Sequence, residues 1–251
     1  MSKFLKKKYI KNKLNKIKII YLKLKKNIHY NFFISKKIKD KIKKGELLKV
    51  NLCSGPNNIQ DYINIDIKGK ADIKIDLNKN LIPLPSNSTK YLVCMSAINY
   101  FNFSESKTIL SEIYRIMAPN GIVRIGVQDL SLLINKYNSK DYNFYFQTLP
   151  NGGQRFPGET YAIKFNHFFN MYGHKSVFDY ETLYYLLANE GFINIKNKKF
   201  QDSEIFEIKA FDNRPEMFFY VECRKNDYKE YFEKAKKQLK LNDYDRAWQN
   251  I

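Results

Sequence analysis

The run Val50-Asn51-Leu52-Cys53-Ser54-Gly55-Pro56, followed by Asp66, constrains this chain more than any other feature. Residues 47–52 are apolar except for Lys49 and Asn51, and the chain must turn sharply at Gly55. Tyr62-Ile63-Asn64-Ile65 alternates again and delivers Asp66. A strand, a tight turn of small residues, a second strand and a terminal acid form a nucleoside-binding arrangement. Small residues let the backbone approach a ligand, and the acid can accept hydrogen bonds from both ribose hydroxyls.

The order of the later segments gives that start its weight. Residues 71–76 read as a third short strand ending in Asp76, and residues 81–85 as a loop punctuated by Pro83 and Pro85. Tyr91-Leu92-Val93-Cys94-Met95 is continuously apolar, as a buried parallel strand requires. Residues 105–117 carry Ile109, Leu110, Ile113 and Ile116 at helical spacing, and Ala118-Pro119-Asn120-Gly121 stops that helix. Residues 122–127 form the next strand, with Asp129 just past its end. Alternating strands and helices with acids at strand ends predict an open parallel sheet with a ligand at its carboxyl edge. One tension remains: parallel neighbours normally need a crossover of about a dozen residues, and Gly55 to Tyr62 leaves far fewer. Either the first helix is reduced to a loop or these two strands are not simple neighbours.

With these motifs in this order, residues 46–225 resemble a class I S-adenosylmethionine-dependent methyltransferase of the type 11 kind. The resemblance is nearest to predicted methyltransferases of surface-polysaccharide contexts. The residues that carry it are 50–56, 62–66, 71–77, 81–85, 115–121 and 124–130, then Gly173-His174 and the Leu183 to Phe192 segment. It implies a doubly wound, mainly parallel Rossmann-like α/β sheet with an antiparallel edge strand. It also implies S-adenosyl-L-methionine as cofactor and a small-molecule or glycan-type acceptor methylated at oxygen or nitrogen. The backbone of Cys53, Ser54 and Gly55 would hold the methionine part, Asp66 the ribose, and Asp76 with Leu77 the adenine; Ser96 completes the cofactor set. Asp129 and His174 would touch the acceptor or remove its proton. If the first helix is only a loop, no helix amino terminus faces the ligand, and the methionine carboxylate would rely on loop amides.

The chain departs from the family pattern where Cys53 replaces a glycine and Asn99-Tyr100 replaces a Glu-His pair. These departures motivate a second reading, a non-catalytic partner subunit that keeps the fold. Asn120 in place of a glycine is milder, because Asn tolerates the left-handed region. Asp129 can equally be the N-cap of a helix beginning at Leu130, and a histidine in an aromatic segment is commonly a packed residue. Residues 139–178 are rich in Tyr and Phe and read either as a lid or as a satellite core beneath a long loop. Asp179 caps a further helix ending near Gly191, and residues 192–196 and 217–223 are strand candidates.

Charge divides the chain. It holds 44 Lys and Arg against 25 Asp and Glu, for a net +19. Residues 1–45 contain 17 Lys, no Arg and one Asp, leaving 27 basic and 24 acidic residues in the remainder. The basicity therefore belongs to an extension, read as residues 1–45. Within it Ile10, Leu14, Ile17, Tyr21, Leu24 and Ile28 form one apolar helical stripe. Such a helix can lie on an anionic membrane surface or dock on protein. Lys without Arg argues against nucleic acid, because the guanidinium fork is the better phosphate and base reader, so an RNA methyltransferase ranks third. No stretch approaches the ~20 apolar residues of a membrane span. The expected location is cytoplasmic, with peripheral attachment at the inner membrane surface open through the extension. Cys53, Cys94 and Cys223 show no paired spacing, and with three His a zinc site is not expected. Residues 226–251 read as a charged carboxyl-terminal helix.

Overall fold

The computed structural model describes residues 34–170 and 173–227. The apolar stripe from Ile10 to Ile28 and the terminal helix lie outside these residues, as does Tyr172.

Period-two alternation builds the centre of the molecule. The strands are β1 (Leu48–Leu52), β2 (Ile63–Asp66), β3 (Ile73–Lys74), β4 (Thr89–Met95), β5 (Met117–Gln128), β6 (Phe192–Lys198) and β7 (Phe218–Lys225). They form one seven-stranded sheet in the order β3-β2-β1-β4-β5-β7-β6. The first five run parallel, and β7 runs antiparallel to both β5 and β6. This is the expected mainly parallel, Rossmann-like sheet, with the antiparallel pairing gathered at one edge.

Alternate residues sort onto two faces. Val50 and Leu52, Leu92 and Cys94, Val123, Ile125 and Val127, and Phe219 and Val221 enter one large core. Helices α1 (Lys36–Lys43), α2 (Phe103–Ile116) and α6 (Tyr180–Asn189) supply its other half through Ile38, Ile109, Ile113, Leu183 and Leu187. Helix α2 starts before Glu105 because Asn102 caps it reciprocally. The Asn102 Oδ1 accepts the Glu105 N–H at 2.9 Å, and the Glu105 carboxylate accepts the Asn102 N–H at 2.8 Å. The strand expected at 122–127 reaches back to Met117, and its pairing with β4 shifts register as it passes Asn120, which sits at φ 60°.

The opposite face is covered in two parts. Helices α3 (Leu130–Asn138), α4 (Tyr142–Tyr145) and α5 (Tyr161–Asn170) bring Leu133, Tyr145 and Phe168 into one cluster with Phe218 and Tyr220, and Phe156 joins it from the segment between α4 and α5. The aromatic segment is thus a satellite core, the alternative to a lid. The second part lies over the start of β2, β4 and β5. There Ile205, Ile208 and Phe211, from the β6–β7 connection, pack against Tyr62, Val93 and Ile122.

That connection occupies ground left free by a missing helix. β1 and β2 are direct parallel neighbours, with Val50 opposite Ile63, although the link between them contains no helix. The crossover can be short because β2 has only four residues to climb back. Asn64 organises it: its Oδ1 accepts the Ile59 N–H at 2.9 Å and the Asn51 side-chain amide at 3.0 Å, and its Nδ2 donates to Asp72 at 3.0 Å.

One boundary moves. The extension was expected to end at residue 45, but Ile34 and Ile38 are buried in the main core and Ser35 caps α1. Lysines on the outer positions of α1 hide an inward stripe, so composition alone places the edge of the domain too late. Among the described residues no helix is long and apolar enough to cross a membrane.

Candidate cofactor site

The carboxyl ends of β1 to β4 open into a cavity of about 900 Å³, within the range of small-molecule and cofactor sites. It lies where the strand order reverses between β1 and β4, the position at which open α/β sheets bind ligands. Cys53, Ser54, Gly55, Asp66, Asp76, Leu77 and Ser96 all line it. Residues from four successive strand ends are thereby brought to one wall.

Each is held by an identifiable device. Gly55 adopts φ 57°, and its N–H donates to Asp66 Oδ2 at 2.9 Å, so the turn after β1 and the acid after β2 are joined directly. Asp66 Oδ1 accepts the Lys68 N–H at 3.0 Å. Each carboxylate oxygen keeps a lone pair for a further donor. Cys53 lies at φ 56° and Ser96 at φ 55°, conformations that cost an L-residue roughly 1–2 kcal/mol. Cys53 therefore keeps a backbone conformation in which glycine is at ease, while its side chain packs on the main core. A hydrogen bond with the Cys94 thiol, then burial, push the Cys53 thiol pKa up; it stays protonated and is no nucleophile. Asp76 closes its own turn by accepting the Asn78 N–H at 3.0 Å and pairs with Lys79 at 3.3 Å.

The two acceptor-side candidates stand elsewhere. Asp129 is absent from the cavity wall. Its carboxylate caps α3, accepting from Ser131 N–H at 2.9 Å and Leu132 N–H at 3.2 Å, which is the capping alternative. His174 is also off the wall, but its ring packs edge-on against Tyr100, a wall residue, at 5.0 Å between centroids. Burial, then the nearby Arg214 charge, pull the His174 pKa down to about 4. At neutral pH its ring is uncharged, and so weak a base holds little driving force for removing a proton. The histidine C–H resonances are expected to show one ring titrating near pH 4. Because the folded value lies below the unfolded one, His174 contributes stability above about pH 6.5, and that contribution is lost as pH falls toward 4. A His174 midpoint near 6.5 would contradict this placement.

The wall also holds Tyr100, which stands at the family's Glu-His position, and three residues that sequence reading passed over: Phe101, Asn213 and Arg214. The last two come from the β6–β7 connection, which shows no periodicity to find it by. The available signal was Arg124, a charge inside an apolar strand. Its side chain is fully buried, 2.6 Å from Asp212 Oδ2, and donates to the carbonyls of Asp202 at 2.7 Å and Lys199 at 3.0 Å. This cluster pins the connection to the sheet beside the cavity. A second tie joins Glu207 to Lys49 and to the Tyr62 hydroxyl; the bond with Lys49 holds the Glu207 carboxyl below its ordinary pKa.

No family model matches this sequence, and no curated protein matches it. Solved structures similar in fold include S-adenosylmethionine-dependent methyltransferases. A Thermotoga maritima protein described as a possible histamine N-methyltransferase shares 14% identity over 72% of this chain and 83% of its own, with TM-score 0.46. An Archaeoglobus fulgidus methyltransferase shares 15% over 75% of this chain and 91% of its own, with TM-score 0.44. One from Mesorhizobium loti shares 17% over 71% of this chain and 90% of its own, with TM-score 0.41. The fold assignment rests on this chain's own strand order and pairing, and these likenesses carry no argument about its chemistry.

Proposed function

We propose that this chain is an enzyme that binds S-adenosylmethionine at the carboxyl edge of its sheet and passes the methyl group to a small-molecule or glycan-type acceptor. The observation that carries this reading is the Gly55–Asp66 link on the wall of the cavity. The donor and acceptor set fits the cofactor. Asp66 keeps lone pairs for two ribose hydroxyls, and Ile67, Leu77 and Phe101 offer apolar surface to a base. When bound, the cofactor supplies a methyl group activated by its sulfonium. The chain's contribution is to position the partners, since alignment of two reactants lowers the barrier without further chemistry.

Asp66→Ala tests the reading. Loss of hydrogen bonds to a charged group is expected to weaken cofactor binding by about 1.5–3 kcal/mol, measured by calorimetry. Equal affinity in the variant would remove Asp66 from the site.

Neither acid–base candidate is set up as a base: Asp129 is engaged as a helix cap, and His174 has its pKa near 4. The acceptor of such an enzyme is one that is nucleophilic without deprotonation, such as a carboxylate or a free amine. The same observation favours, as the second reading, a partner subunit that binds the cofactor without turning it over. Methyl transfer from labelled cofactor to any acceptor excludes that reading.

A further inference from the structure

We propose that Arg214 is the anchor for the carboxylate of the methionine moiety, in the place of the helix that this fold lacks after β1. The proposal rests on the cofactor reading above.

The loop amides from Ser54 to Ile59 are poorly placed for this role, because they are already committed. The N–H of Ser54 donates to Ile65 O, that of Asn57 to Ser54 O and that of Asn58 to Pro56 O. The N–H of Gly55 is held by Asp66 and that of Ile59 by Asn64. Pro56 has none. From Ser54 to Ile59 every backbone donor is therefore engaged, and no helix amino terminus follows to concentrate more. To hold the carboxylate, the amides from Ser54 to Ile59 would have to give up these bonds. A buried or half-buried carboxylate still needs a donor or a cation.

The described cavity wall offers two cationic side chains, Lys68 and Arg214. Lys68 follows Asp66 at the β2 end, the side assigned to the sugar. Arg214 arrives from the other direction: it lies four residues before β7 begins at Phe218, which pairs with Gln128 at the end of β5. If Asp66 holds the sugar and Asp76 with Leu77 border the base, the amino-acid tail would be left to the remaining wall, which Arg214 lines. Among the described residues Arg214 forms no ion pair; its guanidinium lies 5.9 Å from the Phe218 ring centroid.

The backbone around Arg214 is fixed. Its carbonyl accepts the N–H of Met217 at 3.0 Å and of Phe218 at 3.1 Å. The preceding carbonyl, of Asn213, accepts the Tyr220 hydroxyl at 2.5 Å, and Asp212 is tied to Arg124. Arg214 itself lies at φ 57°, in the left-handed region. Strain of this kind persists where the surroundings over-determine it, and it clusters at ligand clamps. A guanidinium presented from a rigid turn matches a carboxylate with two parallel N–H donors.

The test is calorimetry on the full chain with two nucleosides. S-adenosylhomocysteine carries the carboxylate, and 5′-methylthioadenosine lacks the amino-acid tail. Arg214→Asn removes the fork with a residue that tolerates the left-handed region. It is expected to weaken S-adenosylhomocysteine about 10- to 100-fold, the scale of a charge-assisted hydrogen bond. Affinity for 5′-methylthioadenosine should stay unchanged. Arg214→Lys, which keeps charge but not the fork, should lose less and serves as the second variant if Asn disturbs the turn. Equal loss for both nucleosides, or no loss for either, overturns the assignment while leaving the cofactor reading in place. If the wild-type chain binds neither nucleoside, the cofactor reading falls and the Arg214 assignment falls with it.

Discussion

Arg124→Met is expected to lower the stability of the protein by about 3–5 kcal/mol, the cost of leaving a buried charge without its partner. Arg124 is wholly enclosed by Asp212, Glu222, two backbone carbonyls and the Tyr220 ring, whose centroid is 4.9 Å away. Methionine can fill much of the volume but cannot donate. Asp212 would keep only the Gln201 N–H at 2.7 Å, and Glu222 would keep Ser203 and the Glu204 N–H. At roughly 2–4 °C per kcal/mol for a chain of this size, the thermal midpoint should fall by about 10 °C. The double variant Arg124→Met with Asp212→Leu should recover part of the loss, because the carboxylate closest to the guanidinium is then gone and Glu222 keeps its bonds to Ser203 and Glu204. A single variant that melts like the wild type would show that the β6–β7 connection is not held by this cluster. Cofactor affinity should fall alongside stability, since the same segment brings Ala210, Phe211, Asn213 and Arg214 to the wall.

Removal of residues 1–43, compared with removal of residues 1–33, is expected to cost about 3–6 kcal/mol. The two truncations differ only in α1 and its approach, and this stretch contributes two buried isoleucines, Ile34 and Ile38. Full burial of such a side chain contributes about 1.5–3 kcal/mol. The loss is a large share of the 5–15 kcal/mol typical of a whole domain, so the shorter chain should melt far earlier or fail to fold. Matching melting curves would mean that α1 is an ornament and that the domain does begin near residue 45.

The sequence made the sheet legible where burial is two-sided and alternation strong. Leu92 to Met95 and Ile122 to Val127 leave no choice but a buried strand, whereas the start of α2 was read late, at Glu105, because the Asn102 cap that fixes it lies ahead of the apolar positions. The turn at Gly55 and the acid at Asp66 were legible through the order of the segments that follow them, since a turn or a strand-terminal acid alone has several uses. Asp129 was ambiguous for a physical reason: a carboxylate at the end of β5 is equally well placed to cap the next helix or to face a ligand, and only the positions of the Ser131 and Leu132 amides decide. Helix α1 was concealed because Ile34, Ile38 and Ile42 sit among lysines in a chain already rich in them. The β6–β7 connection was invisible for a deeper reason. It has almost no regular structure, so no period marks it; it is ordered by side chains that meet across the fold, Arg124 with Asp212 and Lys49 with Glu207.

Direct titration of the full wild-type chain with S-adenosylmethionine bears most closely on the whole account. A single saturable site is expected, with affinity lowered about 10- to 100-fold in Asp66→Ala. Absence of any heat or competition at millimolar cofactor, from a chain whose melting curve shows it to be folded, would contradict the account at its centre.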